Sequence, residues 1–215
     1  MRLKPGWPAT LCESSLFSKP VLLRPNRVGD AGAWQELRVR NAQWLSPWET
    51  TDPEAPRYPS GLKSYLAMLA AMRGEALLGR ALPWAVTFGG ELVGQVSIGN
   101  IIWGSERTGH LGAWIDKRFA RHHIMTIAIA MAIDHSFQDA GLHRIVAGVR
   151  PENTASRTGM EKYGFRQEGL WVRCSYVDGA WRDHLCYALT AEEVPDGIMA
   201  RARSEVMASM SNAAV

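Results

Sequence analysis

PENTASRTGMEKYGF, Pro151 to Phe165, and FARHHIMT, Phe119 to Thr126, are the two stretches that decide the fold. In the first, Asn153 is a natural helix N-cap and Gly164 a natural stop, so a short helix spans Asn153 to Tyr163. The second opens an apolar helix from about Ile124 to Phe137, stopped by Gly141. Its apolar residues run nearly all round, which predicts deep burial. Strands flank this helix, His110 to Ile115 before it and Arg144 to Val149 after it. A strand, a buried helix and a parallel strand place a helix N-terminus at a strand's carboxyl end, where phosphate-bearing ligands are favoured.

Outward from this centre, Val21 to Arg24 reads as a first strand closed by Pro25. Asp30 is a candidate cap for a helix through Ala31, Trp34, Leu37 and Arg38. The stretch from Asn41, NAQWLSPWETTDPEAP, reads as loop, with Trp44 and Trp48 exposed in it. Ser60 then caps a helix with Leu62, Tyr65, Leu66, Leu69 and Met72 on one face. Trp84 to Phe88 and Leu92 to Ile98 flank Gly89-Gly90-Glu91 as a hairpin, and Ile101 to Trp103 extends its second strand. Leu170 to Val177 and Trp181 to Leu189 surround Asp178-Gly179, a strong hairpin turn. The expected fold is α/β, a single domain with a mixed sheet flanked by helices. Its divisions are an arm over 1–20, the domain over 21–193, and a weakly helical tail over 194–215.

Composition narrows the class. A chain of 215 residues with 47% hydrophobic and 21% charged residues is ordinary globular material. The net charge of +3 and pI near 8.9 suit anionic ligands, but no basic run argues for nucleic acid. The longest apolar run, Ile124 to Ile133, is too short to span a bilayer, and the N-terminus lacks a signal-peptide core. A cytoplasmic protein without membrane or nucleic-acid partners is expected. Cys12, Cys174 and Cys186 lack metal or redox spacing and read as half-buried thiols. His122 and His123 are adjacent and so poor joint ligands, and no metal is expected. Gly94 to Gly99 misses the G-x-S-x-G nucleophile motif by one residue.

The ordered series WID, IMT, LHRI, PENTAS, GFRQEG and DGAWRDH resembles the GNAT superfamily of N-acetyltransferases, within it the RimJ/RimL-like branch. The resemblance runs from about Val21 to Ala191 and implies a GNAT-type, mostly antiparallel central sheet. It further implies acetyl-CoA as donor and a protein N-terminal amine or small-molecule amine as acceptor, in a monomer or homodimer. By resemblance, Trp114 and Ile115 pair through their main chain with the pantetheine arm, and Asn153 touches the same region. Ser156 then lies near the thioester sulfur as proton donor. A capped helix with a half-buried serine accounts for the local pattern equally well. Tyr163 is a second candidate acid.

The pyrophosphate loop departs from the family pattern. Ile124, Met125 and Thr126 keep its end, while Ala120 replaces the usual Gln or Arg, and Arg121 and His123 replace two glycines. Two outcomes are open. Arg121, His122 and His123 add charge-assisted contacts to phosphate, or side chains at glycine positions crowd the ligand. The second outcome yields a degenerate family member that binds a CoA-type ligand or a protein partner without turnover. The family's occasional glutamate base is Ser175 here. Glu91, Asp116 and Glu168 have no assigned place, so the base stays unassigned, with water as an alternative. Trp44, Trp48 and Tyr58 fall in the region that shapes the family's acceptor groove, where plain packing is an equal reading.

Overall fold

The computed structural model describes residues 6–54 and 61–213. Tyr58 and the cap assigned to Ser60 lie outside the described residues. Eight strands form one sheet: β1 (Leu11–Glu13), β2 (Val21–Arg24), β3 (Leu82–Phe88), β4 (Glu91–Ile102), β5 (Thr108–Ile115), β6 (Arg144–Val149), β7 (Arg166–Val177) and β8 (Ala180–Thr190). The helices are α1 (Ala31–Arg40), α2 (Ala42–Leu45), α3 (Leu62–Leu77), α4 (Ile124–Gln138), α5 (Thr154–Tyr163) and α6 (Met199–Ala213). The strand order is β1-β2-β3-β4-β5-β6-β8-β7, antiparallel throughout except for the parallel pair β5–β6. This is the expected mixed, mostly antiparallel α/β sheet.

β3 is buried along nearly its whole length because both faces of the sheet are covered. Trp84, Val86, Val93 and Val96 pack in the main core with α4, whose residues Ile127 to Ile133 are all buried. On the other face, Ala85 and Leu92 pack with Leu37 of α1, joined by Trp34 and Trp114. The apolar girdle of α4 thus has its physical reason: sheet on one side, α6 on the other.

Several local readings change. Leu11–Glu13, inside the supposed arm, is an edge strand antiparallel to β2. The tail carries α6, a fifteen-residue helix against α4. Its first turn is capped from outside: the Asp134 carboxylate of α4 accepts from the N–H groups of Ile198 (2.7 Å) and Met199 (3.1 Å). Sequence gives little sign of this because the cap lies 64 residues away. Asp30 does stand at the N-cap of α1, but its carboxylate turns to Arg24 and to the Arg27 N–H. In α3, Tyr65 and Ala76 are buried while Leu62 and Leu66 face outward, since the helix meets α1 and β3 along a narrow stripe. The loop after Asn41 contains α2, and Thr50 bridges to Val177. Of the cysteines, Cys12 and Cys174 are exposed and Cys186 is buried.

Glu13 is the tie between the N-terminal strand and α6. Its buried carboxylate accepts from the Arg203 guanidinium and from Ser15. Burial alone would raise its pKa, but the Ser15 and Arg203 contacts outweigh it and hold the carboxyl at about 2. A depressed folded pKa means stability present above the ordinary carboxylate range and lost as pH falls toward 2. We expect Glu13→Gln to cost about 1–2 kcal/mol near neutrality. In denaturant unfolding followed from pH 7 to pH 2, the variant should show the shallower decline at the acid end.

Candidate active site

The parallel pairing of β5 with β6 covers Thr108↔Arg144, Gly109↔Ile145 and His110↔Val146, and then stops. Past that point β5 stays with β4 as far as Ile115, and β6 stays with β8 as far as Val149. The two strands therefore part into a cleft whose walls carry unpaired backbone groups. α4 opens after one wall and α5 after the other, so both helix N-termini sit at the carboxyl ends of the strands that frame the cleft.

Trp114 and Ile115 form the end of the β5 wall. The Asp116 N–H bonds Val93 O of β4, so strand alternation turns the Ile115 amide to the cleft side. The Ile115 carbonyl accepts from the Trp44 indole at 3.2 Å, which leaves its N–H as the group without a partner among the described residues. Gly94, opposite Ile115, has to be glycine: a Cβ there would stand 2.3 Å from the Trp114 carbonyl oxygen. Asp116 locks the strand end from behind. Fully buried, it accepts from Arg40 and Arg118, each at 2.8 Å, and from the Arg118 N–H. Burial works to raise its pKa, yet these donors bring it below the ordinary value.

The loop before α4 has the backbone of the glycines it lacks. Arg121 has φ +64° and His123 φ +59°, both left-handed. The N-cap position is His123, and no side chain caps the helix. The first intrahelical bond from this end runs from the Ile127 N–H to His123 O, so the N–H groups of Ile124, Met125 and Thr126 are the helix's open donors. Arg121 and His122 are exposed, whereas Ile124 is buried and contributes through its backbone. His123 is held from α6, its Nε2 lying 2.9 Å from Ser209 Oγ.

Asn153 caps α5, its Oδ1 accepting from the Ser156 N–H at 3.1 Å. The half-buried Ser156 hydroxyl has no hydrogen-bond partner among the described residues. Tyr163 is unsuited as an acid: it is buried, its hydroxyl donates to the Thr126 carbonyl, and burial drives its pKa far up. The carboxylates without an assigned place are all in ion pairs. Glu91 meets Arg118, and Glu168 meets Arg144 and Arg166, with Arg144 the main cause of its lowered pKa.

Two histidines missed from sequence stand on the cleft's far face. Gly109 faces Ile98 and Leu142 on the α4 side, so His110 points the other way, toward Trp171, ring centroids 6.2 Å apart. His184 is buried beside Gly148 and Trp171, its Nδ1 3.4 Å from Cys174 Sγ. Burial lowers the pKa of both imidazoles. His110 was legible only as an alternating strand residue; which strand faced it was not. Counting back from Asp178-Gly179 sets His184 against Arg173, but a bulge between Trp171 and Ser175 sets it against Trp171. Arg173 absorbs the bulge with φ +46°, and its N–H donates to Asp183 Oδ1.

A model of the GNAT acetyltransferase domain matches residues 21–166. The chain belongs to that family. It is 29% identical over 178 residues to the [ribosomal protein uS5]-alanine N-acetyltransferase of Escherichia coli, covering 79% of this chain and 88% of the relative. Among solved structures, Mycobacterium smegmatis RimJ in complex with CoA-disulfide superposes with a TM-score of 0.85 at 41% identity, over 91% of this chain and 94% of that one. The ribosomal-protein-S5-alanine acetyltransferase of Vibrio fischeri gives 0.72 at 27% identity, over 79% and 92%. The family match ends at the first residue of β7, so β8 and α6 lie beyond it. Within this GNAT chain, Gly94→Ala should displace Trp114 and Ile115 and destabilise the fold by about 1–3 kcal/mol. Thermal unfolding and acetyl-CoA titration check this together, and unchanged values in both would remove Gly94 from the cleft wall's support.

Proposed function

We propose that this protein transfers the acetyl group of acetyl-CoA to a primary amine, most readily the N-terminal amine of a protein of the ribosomal-alanine kind. The observation that carries the reading is the α4 entry. Arg121 and His123 adopt glycine-like left-handed backbone, so the uncapped N–H groups of Ile124 to Thr126 stay open to a pyrophosphate. The partial positive charge of a helix N-terminus, about half a unit, adds to the exposed Arg121. Trp114, Ile115 and Asn153 would line the pantetheine arm, with His122, His123 and Met125 around the phosphate end. No group of three or more His, Cys, Asp or Glu side chains placed to hold a metal occurs among the described residues, and the transfer needs none.

The amine nitrogen attacks the thioester carbonyl, the C–S bond breaks, and the thiolate takes a proton from the Ser156 hydroxyl, directly or through a water, while Ser156 regains one from solvent. The amine must shed a proton. His110 suits that task better than the paired carboxylates: its imidazole is half-buried at the vertex of the cleft and has no hydrogen-bond partner among the described residues. Burial keeps it neutral to lower pH than an ordinary histidine.

Calorimetric titration with acetyl-CoA, with dephospho-CoA and pantetheine as controls, tests the donor site. Micromolar binding that weakens as phosphates are removed is expected; no binding up to millimolar would leave a non-catalytic family member. Ser156→Ala should lower turnover about ten- to a thousandfold with acetyl-CoA affinity retained, and an unchanged rate would remove Ser156 from the mechanism. His110→Gln should abolish the acidic limb of the kcat/KM pH profile. In the parent protein that limb should have its midpoint below the usual histidine value, because the base is active above its lowered pKa.

A further inference from the structure

Between the PEN turn that follows β6 and the β7–β8 hairpin lies a cavity of about 230 Å³, lined by Arg150, Arg173, Trp181, Arg182, Asp183 and Glu152 together with Pro151. We infer that this cavity is an acceptor subsite for a carboxylate side chain close to the N-terminus of the protein that is acetylated. The inference rests on the acetyltransferase reading above and adds to it which acceptors are preferred.

Charge bookkeeping within the cavity favours an incoming acid. Glu152 is already bound to Arg150 at 3.1 Å, and Asp183 accepts from the Arg173 N–H. The guanidinium groups of Arg173 and Arg182 make no ion pair among the described residues. Arg150 Nε and Arg182 Nε are buried donors with no hydrogen-bond partner among the described residues. Buried guanidinium donors without an acceptor are costly, and a carboxylate satisfies two at once in a planar fork. Arg150 itself is fixed: it donates to Pro47 O at 2.7 Å and stacks over Trp48. A backbone N–H does not cancel the Asp183 charge, so Arg173 and Arg182 together leave the lining one net positive charge. The volume admits a carboxylate side chain and several waters, each taking about 30 Å³.

Position links the cavity to the chemistry. Glu152 directly precedes Asn153, and Ser156 lies one helical turn on. At about 3.3 Å per extended residue, the second to fourth residues of an acceptor cover that interval. Trp181, 57% exposed and set edge-on to Tyr176, gives the approach an apolar wall.

The test uses peptides with a free N-terminal alanine or serine and a C-terminal fluorophore. They differ by Asp or Glu against Asn or Gln at positions two to four, and are titrated by anisotropy with and without CoA. Acidic peptides should bind about tenfold more tightly than their amides, with the ratio shrinking as salt rises. In Arg173→Gln and Arg182→Gln the ratio should fall toward one. Being measured within each variant, the ratio does not depend on the fraction folded. A ratio near one in the parent protein, a ratio unchanged in both variants, or no peptide bound at all would overturn the subsite. Turnover on the amide peptides is read separately. Its absence with every amine sinks the acetyltransferase reading, while the binding ratio still decides the cavity.

Discussion

β5 and β6 hold each other through three residue pairs and then separate. Among the described residues this is the one parallel junction in an otherwise antiparallel sheet, and the rest of the site depends on it. An antiparallel neighbour arrives by a tight turn, but a parallel one needs a crossover, and here the crossover is α4. Because α4 must return beneath the sheet, its N-terminus comes to rest beside the end of β5. Because β6 then feeds α5, a second helix N-terminus comes to the same end. One topological requirement thus supplies the cleft, its unpaired strand edges and two sets of oriented N–H groups.

Each wall is fastened to the elements around it. Asp116 ties the end of β5 to Arg40 of α1 and to Arg118. Trp44, from α2, bonds the Ile115 carbonyl, and Arg150 reaches back to Pro47 from the end of β6. Residues 41–50 therefore brace both walls, which gives the two tryptophans of this stretch, Trp44 and Trp48, a structural use. Lys117 over Trp44 and Arg150 over Trp48 add cation–π contacts of about half to one kcal/mol each at such partly exposed positions.

Much of this was legible because the signals were local. Gly164 does end α5 in the left-handed conformation, Asn153 does cap it, and Asp178-Gly179 does turn the last hairpin. The apolar girdle of α4 announced a helix covered on all sides. What escaped was whatever depended on a distant partner. α6 has a weakly apolar sequence, and its cap is supplied by Asp134 of another helix. The bulge at Arg173 shifts the hairpin register without any glycine to mark it. The orientation of His110 follows from which side Gly109 presents to α4, a fact of packing that strand alternation alone leaves two-valued.

The altered phosphate loop shows how these distant partners matter. Left-handed backbone costs an L-residue about 1–2 kcal/mol, and the loop carries it twice, at Arg121 and His123. Such strain persists where surroundings over-determine the conformation. α6 supplies part of that determination. Asp134 and the Arg203–Glu13 pair secure it near its start, Lys162–Glu205 secures it midway, and Ser209 meets the His123 imidazole near its far end. A glycine at position 123 would relieve the strain but give α6 nothing to hold. The side chain in the glycine's place therefore has a structural use: it exchanges conformational ease for a tether that keeps the helix entry in one shape before any ligand arrives. Arg121, exposed and without a partner among the described residues, has no such tether. Its strain has no counterpart within the protein itself, and an anion at the open N–H groups beside it is the partner its charge would suit.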